Sequence, residues 1–148
     1  MTRRVRTILV VISIVIIFLT GWLIKRNITE ISQVKNKNVY IELNDSEVSK
    51  KIEQRENFIV YLYREDCKIC KRFSPVYSKI LEEKGMKSFS VDTEKNPIFL
   101  EHELGDLYQG TPAVYFYKAG KLEDYFIGNQ PQDVIKDYLS KFEKVLEN

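Results

Sequence analysis

Residues 58–72 read FIVYLYREDCKICKR, and the junction inside this stretch decides the fold. The run Phe58–Tyr63 is continuously apolar and aromatic, which predicts a strand buried on both faces. Cys67-Lys68-Ile69-Cys70 then opens a segment predicted to be helical from Cys67 to about Glu83, ending near Gly85, with Pro75 inside it as a kink. At a spacing of three on a helix's first turn, both sulfurs lie on one side and can close a disulfide. A helix N-terminus stabilises the thiolate of the leading cysteine, and the second, a turn deeper, can resolve a mixed disulfide.

The rest of the body is read outward from this junction. Before it, Val39–Leu43 alternates as a short strand, and Asn44 with Glu47 three residues on marks a capping box for a helix over about Ser46–Arg55. After it come a short strand at Phe89–Val91 and a short helix at Pro97–Leu104. Ala113–Tyr117 and Lys121–Ile127 flank Ala119-Gly120 as a hairpin. Pro131 opens a last amphipathic helix with Val134, Ile135, Tyr138, Leu139 and Phe142 on one face. This order predicts an α/β domain, a mixed sheet of about five strands with helices on both faces.

The ends of the chain differ sharply. The 148 residues carry a net charge of +2, which argues against a nucleic-acid binder, yet residues 1–26 hold five basic side chains and no acid. Removing those five from 23 basic residues leaves 18 against 21 acids, so residues 27–148 sum to −3. Residues 7–24, TILVVISIVIIFLTGWLI, contain no charge and no proline. As a helix they rise about 27 Å, close to the roughly 30 Å hydrocarbon core of a bilayer. Trp22, Lys25 and Arg26 resemble an interfacial belt. A cleaved signal peptide is the competing reading, but no small-x-small site follows the apolar run. The sequence therefore predicts a short cytoplasmic N-terminus (residues 1–6), a transmembrane anchor (7–24), a polar linker (25–38) and one domain (39–148). Arg3, Arg4 and Arg6 place the N-terminus in the cytoplasm by the positive-inside rule, so the domain faces outward from the cell membrane.

The body also resembles the thioredoxin superfamily over about residues 39–146. Beyond the two cysteines, the resemblance is carried by Lys71 and Pro75 after Cys70, by Val91-Asp92 followed by Asn96-Pro97, by Gly110-Thr111-Pro112 before AVYFY, by Lys118-Ala119-Gly120-Lys121 and by Gly128. It implies that Cys67 is the attacking thiolate and Cys70 the resolving one. It also implies a cis peptide bond before Pro112 beside the disulfide, with Thr111 offering backbone hydrogen bonds to an extended substrate chain. No cofactor is implied beyond the redox-active Cys67–Cys70 disulfide, and the clients would be thiols and disulfides of exported proteins or peptides. A membrane-anchored, single-domain protein of this kind further resembles the accessory proteins encoded with bacteriocin genes in Gram-positive bacteria, which implies a small secreted peptide as client.

The chain departs from the thioredoxin pattern at positions that matter for chemistry. Asp66 stands where thioredoxins have a tryptophan, and Tyr61 where they carry a buried acid; a tyrosine is a poor proton relay near neutral pH. Between the cysteines lie Lys68 and Ile69. Lys68, Lys71 and Arg72 favour a thiolate at Cys67, whereas Glu65 and Asp66 oppose it.

The residues alone leave alternatives open. The cysteines are also compatible with a structural disulfide or inert thiols, and a zinc site is short of ligands, with His102 the single histidine. His102 reads as a surface residue, and Tyr61, Tyr63, Tyr115 and Tyr117 as sheet packing. Two classes of function remain: a thiol–disulfide oxidoreductase, or a peptide-binding chaperone or secretion accessory in which redox chemistry is secondary. A reductase would need a transmembrane electron-transfer partner, because the chain carries no flavin or nicotinamide motif.

Overall fold

The computed structural model describes residues 15–22 and 40–147. The chain divides into two units, residues 1–37 and 38–148. Within the first, residues 15–22 are helical and every one is exposed, including Ile17, Phe18 and Trp22. Among the described residues no helix is long and apolar enough to cross a membrane; most of the expected anchor at 7–24 and all of the expected linker at 25–38 lie outside them.

The second unit is built on a five-stranded mixed sheet in the order β1-β3-β2-β4-β5. Its strands are β1 (Tyr40–Glu42), β2 (Phe58–Tyr63), β3 (Ser88–Asp92), β4 (Ala113–Lys118) and β5 (Lys121–Ile127). The helices are α1 (Asp45–Glu53), α2 (Lys68–Lys84), the single turn α3 (Pro97–Phe99) and α4 (Gln132–Glu147). β1, β3 and β2 run parallel, while β4 is antiparallel to both β2 and β5.

The unbroken apolar run at β2 has its explanation in this order. As the central strand, β2 is covered on both faces, and parity along it divides the core in two. Ile59 and Tyr61 join Phe73, Tyr77, Ile80 and Leu81 of α2, Val114, Phe116 and Phe126 of the hairpin, and Ile135, Leu139 and Phe142 of α4. Phe58, Val60 and Leu62 point the other way, onto Val48, Val91, Phe99, Leu104 and Tyr115. Truncating a side chain such as Leu62, which has no exposed surface, costs about 2–5 kcal/mol.

Local signals fix the ends of the helices. Asn44 accepts from the Glu47 amide at 3.1 Å while the Glu47 carboxylate accepts from the Asn44 amide at 2.8 Å, so the capping box forms. α2 ends at Gly85, whose φ of 65° lets the Met86 amide reach back to Leu81 O at 2.9 Å. α2 runs through Pro75 as one helix. The segment expected as one short helix over Pro97–Leu104 is instead α3 followed by a π-turn over Leu100–Leu104 and a 3-10 turn over Gly105–Leu107. The reason is the spacing of Phe99 and Leu104: five residues apart, both are buried, and a turn closed by i→i+5 bonding brings them to one side.

The hairpin turn is held from outside. Ala119 and Gly120 both have positive φ, 49° and 71°. Their amides donate to Asn57 Oδ1 at 2.7 Å and to Glu56 O at 3.0 Å. A β-carbon on Gly120 would press into the backbone carbonyl of Ile52 and sit 3.1 Å from Arg55 Cα. Gly120→Ala is therefore expected to destabilise the protein by at least about 2 kcal/mol, and Ala119→Gly to change it by under about 1 kcal/mol. Denaturant midpoints of the two variants check this, and equal midpoints would show that the turn is not constrained.

Candidate active site

The site is the place where β2 ends, α2 begins and the loop before β4 comes alongside. β2 carries the chain to Tyr63, residues 64–66 turn it, and Cys67 caps α2. The Cys67 sulfur accepts from the Cys70 amide at 3.0 Å, in the place that a serine or aspartate oxygen takes at other helix starts. Cys67 and Cys70 are joined as a disulfide with their Cα atoms 5.2 Å apart. The pair is asymmetric: Cys67 is half-buried, whereas Cys70 is 3% exposed. On reduction, the amides of the first turn face a sulfur that can take up negative charge, and they favour that charge.

The loop before β4 supplies the other wall. Thr111–Pro112 is a cis peptide bond, Pro112 is buried, and the Thr111 carbonyl oxygen lies 3.7 Å from the Cys67 sulfur. Gly128, just after β5, donates its amide to Pro112 O at 2.7 Å and so fixes this loop to the hairpin. The residues singled out in the sequence thus meet: Cys67, Cys70, Thr111 and Pro112 at the disulfide, with exposed Asp66, Lys68 and Ile69 on its rim.

Electrostatics at the rim differ from a count of charges. Asp66 is held by Arg64 through two bonds, Nε to Oδ1 at 3.0 Å and a terminal nitrogen to Oδ2 at 2.7 Å. This guanidinium keeps the Asp66 carboxyl below its usual range. Glu94 approaches Arg64 at 3.4 Å, and Tyr108 is near enough to act on it electrostatically. Glu65 is paired with Lys95 at 2.9 Å, and Lys95 also pairs with buried Asp92 at 2.9 Å. Arg64, Glu94, Lys95 and Tyr108 were not expected from the sequence. The alternation Arg-Glu-Asp before Cys67 was the available signal for the first, but pairing at a spacing of two depends on the turn at 64–66.

Tyr61 lies in the core beneath the sheet, its ring 5.4 Å from Phe73, 5.5 Å from Tyr40 and 5.8 Å from Tyr77. Burial pushes its phenol well above its ordinary value, and neighbouring Tyr40 and Tyr63 push the same way. Its hydroxyl has no hydrogen-bond partner, so nothing at this position takes or gives a proton near neutral pH. Tyr63 is raised to about 12, by burial first and then by Glu42. Tyr115 and Tyr117 are buried in the sheet and His102 is exposed. Among the described residues no group of three or more His, Cys, Asp or Glu side chains is placed to hold a metal ion.

The pairing of Asp66 makes a testable difference. Arg64→Ala frees an anion beside Cys67 and removes a cation, so it should disfavour the thiolate and move the pH midpoint of the exchange rate upward. Asp66→Asn removes an anion beside Cys67 and leaves Arg64 with only the longer contact to Glu94, so it should move that midpoint downward. The double variant should return close to the starting profile. Rate–pH profiles of the three variants check this; identical profiles would show that the clamp does not reach the sulfur.

Comparison with known proteins agrees with this geometry. The family model described as thioredoxin matches residues 39–141. The chain is similar to the thioredoxin of Mycoplasmoides gallisepticum, with 28% identity over 98 residues covering 65% of this chain and 94% of that one. Its fold is similar to that of a mutant thioredoxin from Halobacterium salinarum NRC-1, with a TM-score of 0.56 and 16% identity, covering 70% of this chain and 88% of that one. With a half-buried cysteine capping a helix, a buried partner and a proline loop against them, the chain belongs to the thioredoxin family, as a thiol–disulfide oxidoreductase working through Cys67 and Cys70.

Proposed function

We propose that the protein is a membrane-tethered oxidoreductase whose domain exchanges disulfides with exported proteins or small exported peptides outside the cytoplasm. The observation that carries the chemistry is the unequal burial of the two sulfurs, with Cys67 beside the Thr111 carbonyl. The tethering is supported by the charge-free apolar stretch 7–24, the arginines before it, and the exposed apolar side chains of helix 15–22, which a bilayer would cover.

Exchange proceeds in two displacements. In the direction that reduces a client, the Cys67 thiolate attacks a client disulfide, forming a mixed disulfide and releasing the client's other sulfur as a thiolate. Cys70 then loses its proton to solvent or to that thiolate and attacks the Cys67 sulfur, which releases the reduced client and forms the Cys67–Cys70 bond. The reverse sequence oxidises a client dithiol. In both directions, Thr111 presents its backbone to the client chain and Pro112 shapes the wall next to the sulfur. Sustained reduction needs electrons from a transmembrane partner, whereas sustained oxidation needs an external oxidant of thiols.

In the full chain, Cys70→Ser should accumulate clients as mixed disulfides on Cys67, and Cys67→Ser should trap none. Non-reducing gels of cells carrying each variant read this directly. An impermeant amine reagent applied to intact cells should label lysines of residues 39–148. Protection of all of them would overturn the outward orientation, and unchanged client maturation in the Cys67→Ser/Cys70→Ser variant would overturn the oxidoreductase role.

A further inference from the structure

We propose that the clients of this site carry an acidic segment beside their reactive cysteine, held by Lys68, Lys71 and Arg72. The inference rests on the exchange function proposed above and adds the chemistry of the client to it. The three cations stand at i, i+3 and i+4 in the first turns of α2, so they share one helix face that starts at the reactive cysteine. All three are exposed, and among the described residues none has a carboxylate within ion-pair distance.

The acids that precede Cys67 do not offset this charge, because each is already satisfied from elsewhere. Asp66 is occupied by Arg64, and Glu65 by Lys95. Only Lys71 retains a longer-range attraction to Asp66. The positive face is also local. Residues 27–148 sum to −3, so an anionic client is repelled by the domain as a whole and attracted at the sulfur. Ile69, 43% exposed between Lys68 and Cys70, adds an apolar contact at the same place. The start of α2 carries the positive end of its helix dipole, which works in the same direction. Further along α2 the pattern differs, since Lys79 has Glu83 at i+4, 4.0 Å away.

The test uses the full chain in non-ionic detergent and two synthetic peptides. Each has one internal disulfide, and they differ only in three acidic or three lysine residues beside the first cysteine. Rates of exchange are read by alkylation and mass shift. At low salt the acidic peptide should react roughly tenfold faster, with the ratio falling towards one near 0.5 M salt, where screening acts over only about 4 Å. Lys68→Gln/Lys71→Gln/Arg72→Gln should bring the ratio to about one, and the corresponding triple glutamate variant should invert it. The ratio is the readout because these substitutions also alter Cys67 reactivity, a change common to both peptides. Equal rates at low salt, or a ratio indifferent to the substitutions, would overturn the inference while leaving the exchange function intact. Exchange with neither peptide would overturn peptide disulfides as clients, and this inference with them.

Discussion

The hydrogen bond from the Cys70 amide to the Cys67 sulfur is the constraint on which the rest of this domain is arranged. It makes one atom serve as both helix cap and reacting centre. The cap requires the helix to start at residue 68, which requires β2 to end at Tyr63 and three residues to turn the chain. The strand stays in place because its two faces are buried in two separate sets of side chains. The reactivity of Cys67 thus depends on core residues, such as Leu62 and Phe73, that never touch a client.

A second consequence of the central strand is the position of the proline loop. β4 pairs with β2 from Phe58↔Tyr117 to Leu62↔Ala113, so the residues just before β4 arrive next to the residues just after β2. Thr111 and Pro112 reach the disulfide through this register, and Gly128 fixes them from β5 by its amide bond to Pro112 O. The segment 92–99 is secured in the same region: Asn96 donates to Asp92 O at 2.9 Å and accepts from the Asp45 amide at 2.9 Å, while Asp45 accepts from the Phe99 amide at 2.8 Å. These bonds give a structural reason for an asparagine at 96, one of the residues on which the sequence resemblance to thioredoxins rests.

Much of this was legible beforehand because its causes are local. The Asn44–Glu47 box and the cysteine spacing depend on neighbours within a few residues, and the Ala119-Gly120 turn and the run Phe58–Tyr63 carry their signal in adjacent residues even though distant ones hold the turn and cover the strand. The cis bond at Pro112 was legible only through the family likeness, since nothing in the composition distinguishes it. The Arg64–Asp66 clamp and the Glu65–Lys95–Asp92 chain were not legible: the first depends on how residues 64–66 turn, and the second joins residues about 30 apart across β2 and β3. For the same reason, Glu65 and Asp66 read in the sequence as anions opposing a thiolate and turn out to be paired. The irregular turns after Phe99 escaped because hydrophobic periodicity is normally read at 3.6 residues, and here the buried pair is spaced at five. The substitution of Tyr61 for an acid was visible, but its isolation among Tyr40, Phe73 and Tyr77 was not, since these residues come from two other elements, β1 and α2.

The most direct test of the central claim, that one sulfur attacks and the other waits beneath it, is residue-resolved alkylation of the freshly reduced full chain at neutral pH. Brief exposure to iodoacetamide followed by peptide mass mapping should place the modification on Cys67 and leave Cys70 free until the protein is denatured. Modification of Cys70 first, or of both at equal rates, would contradict the account.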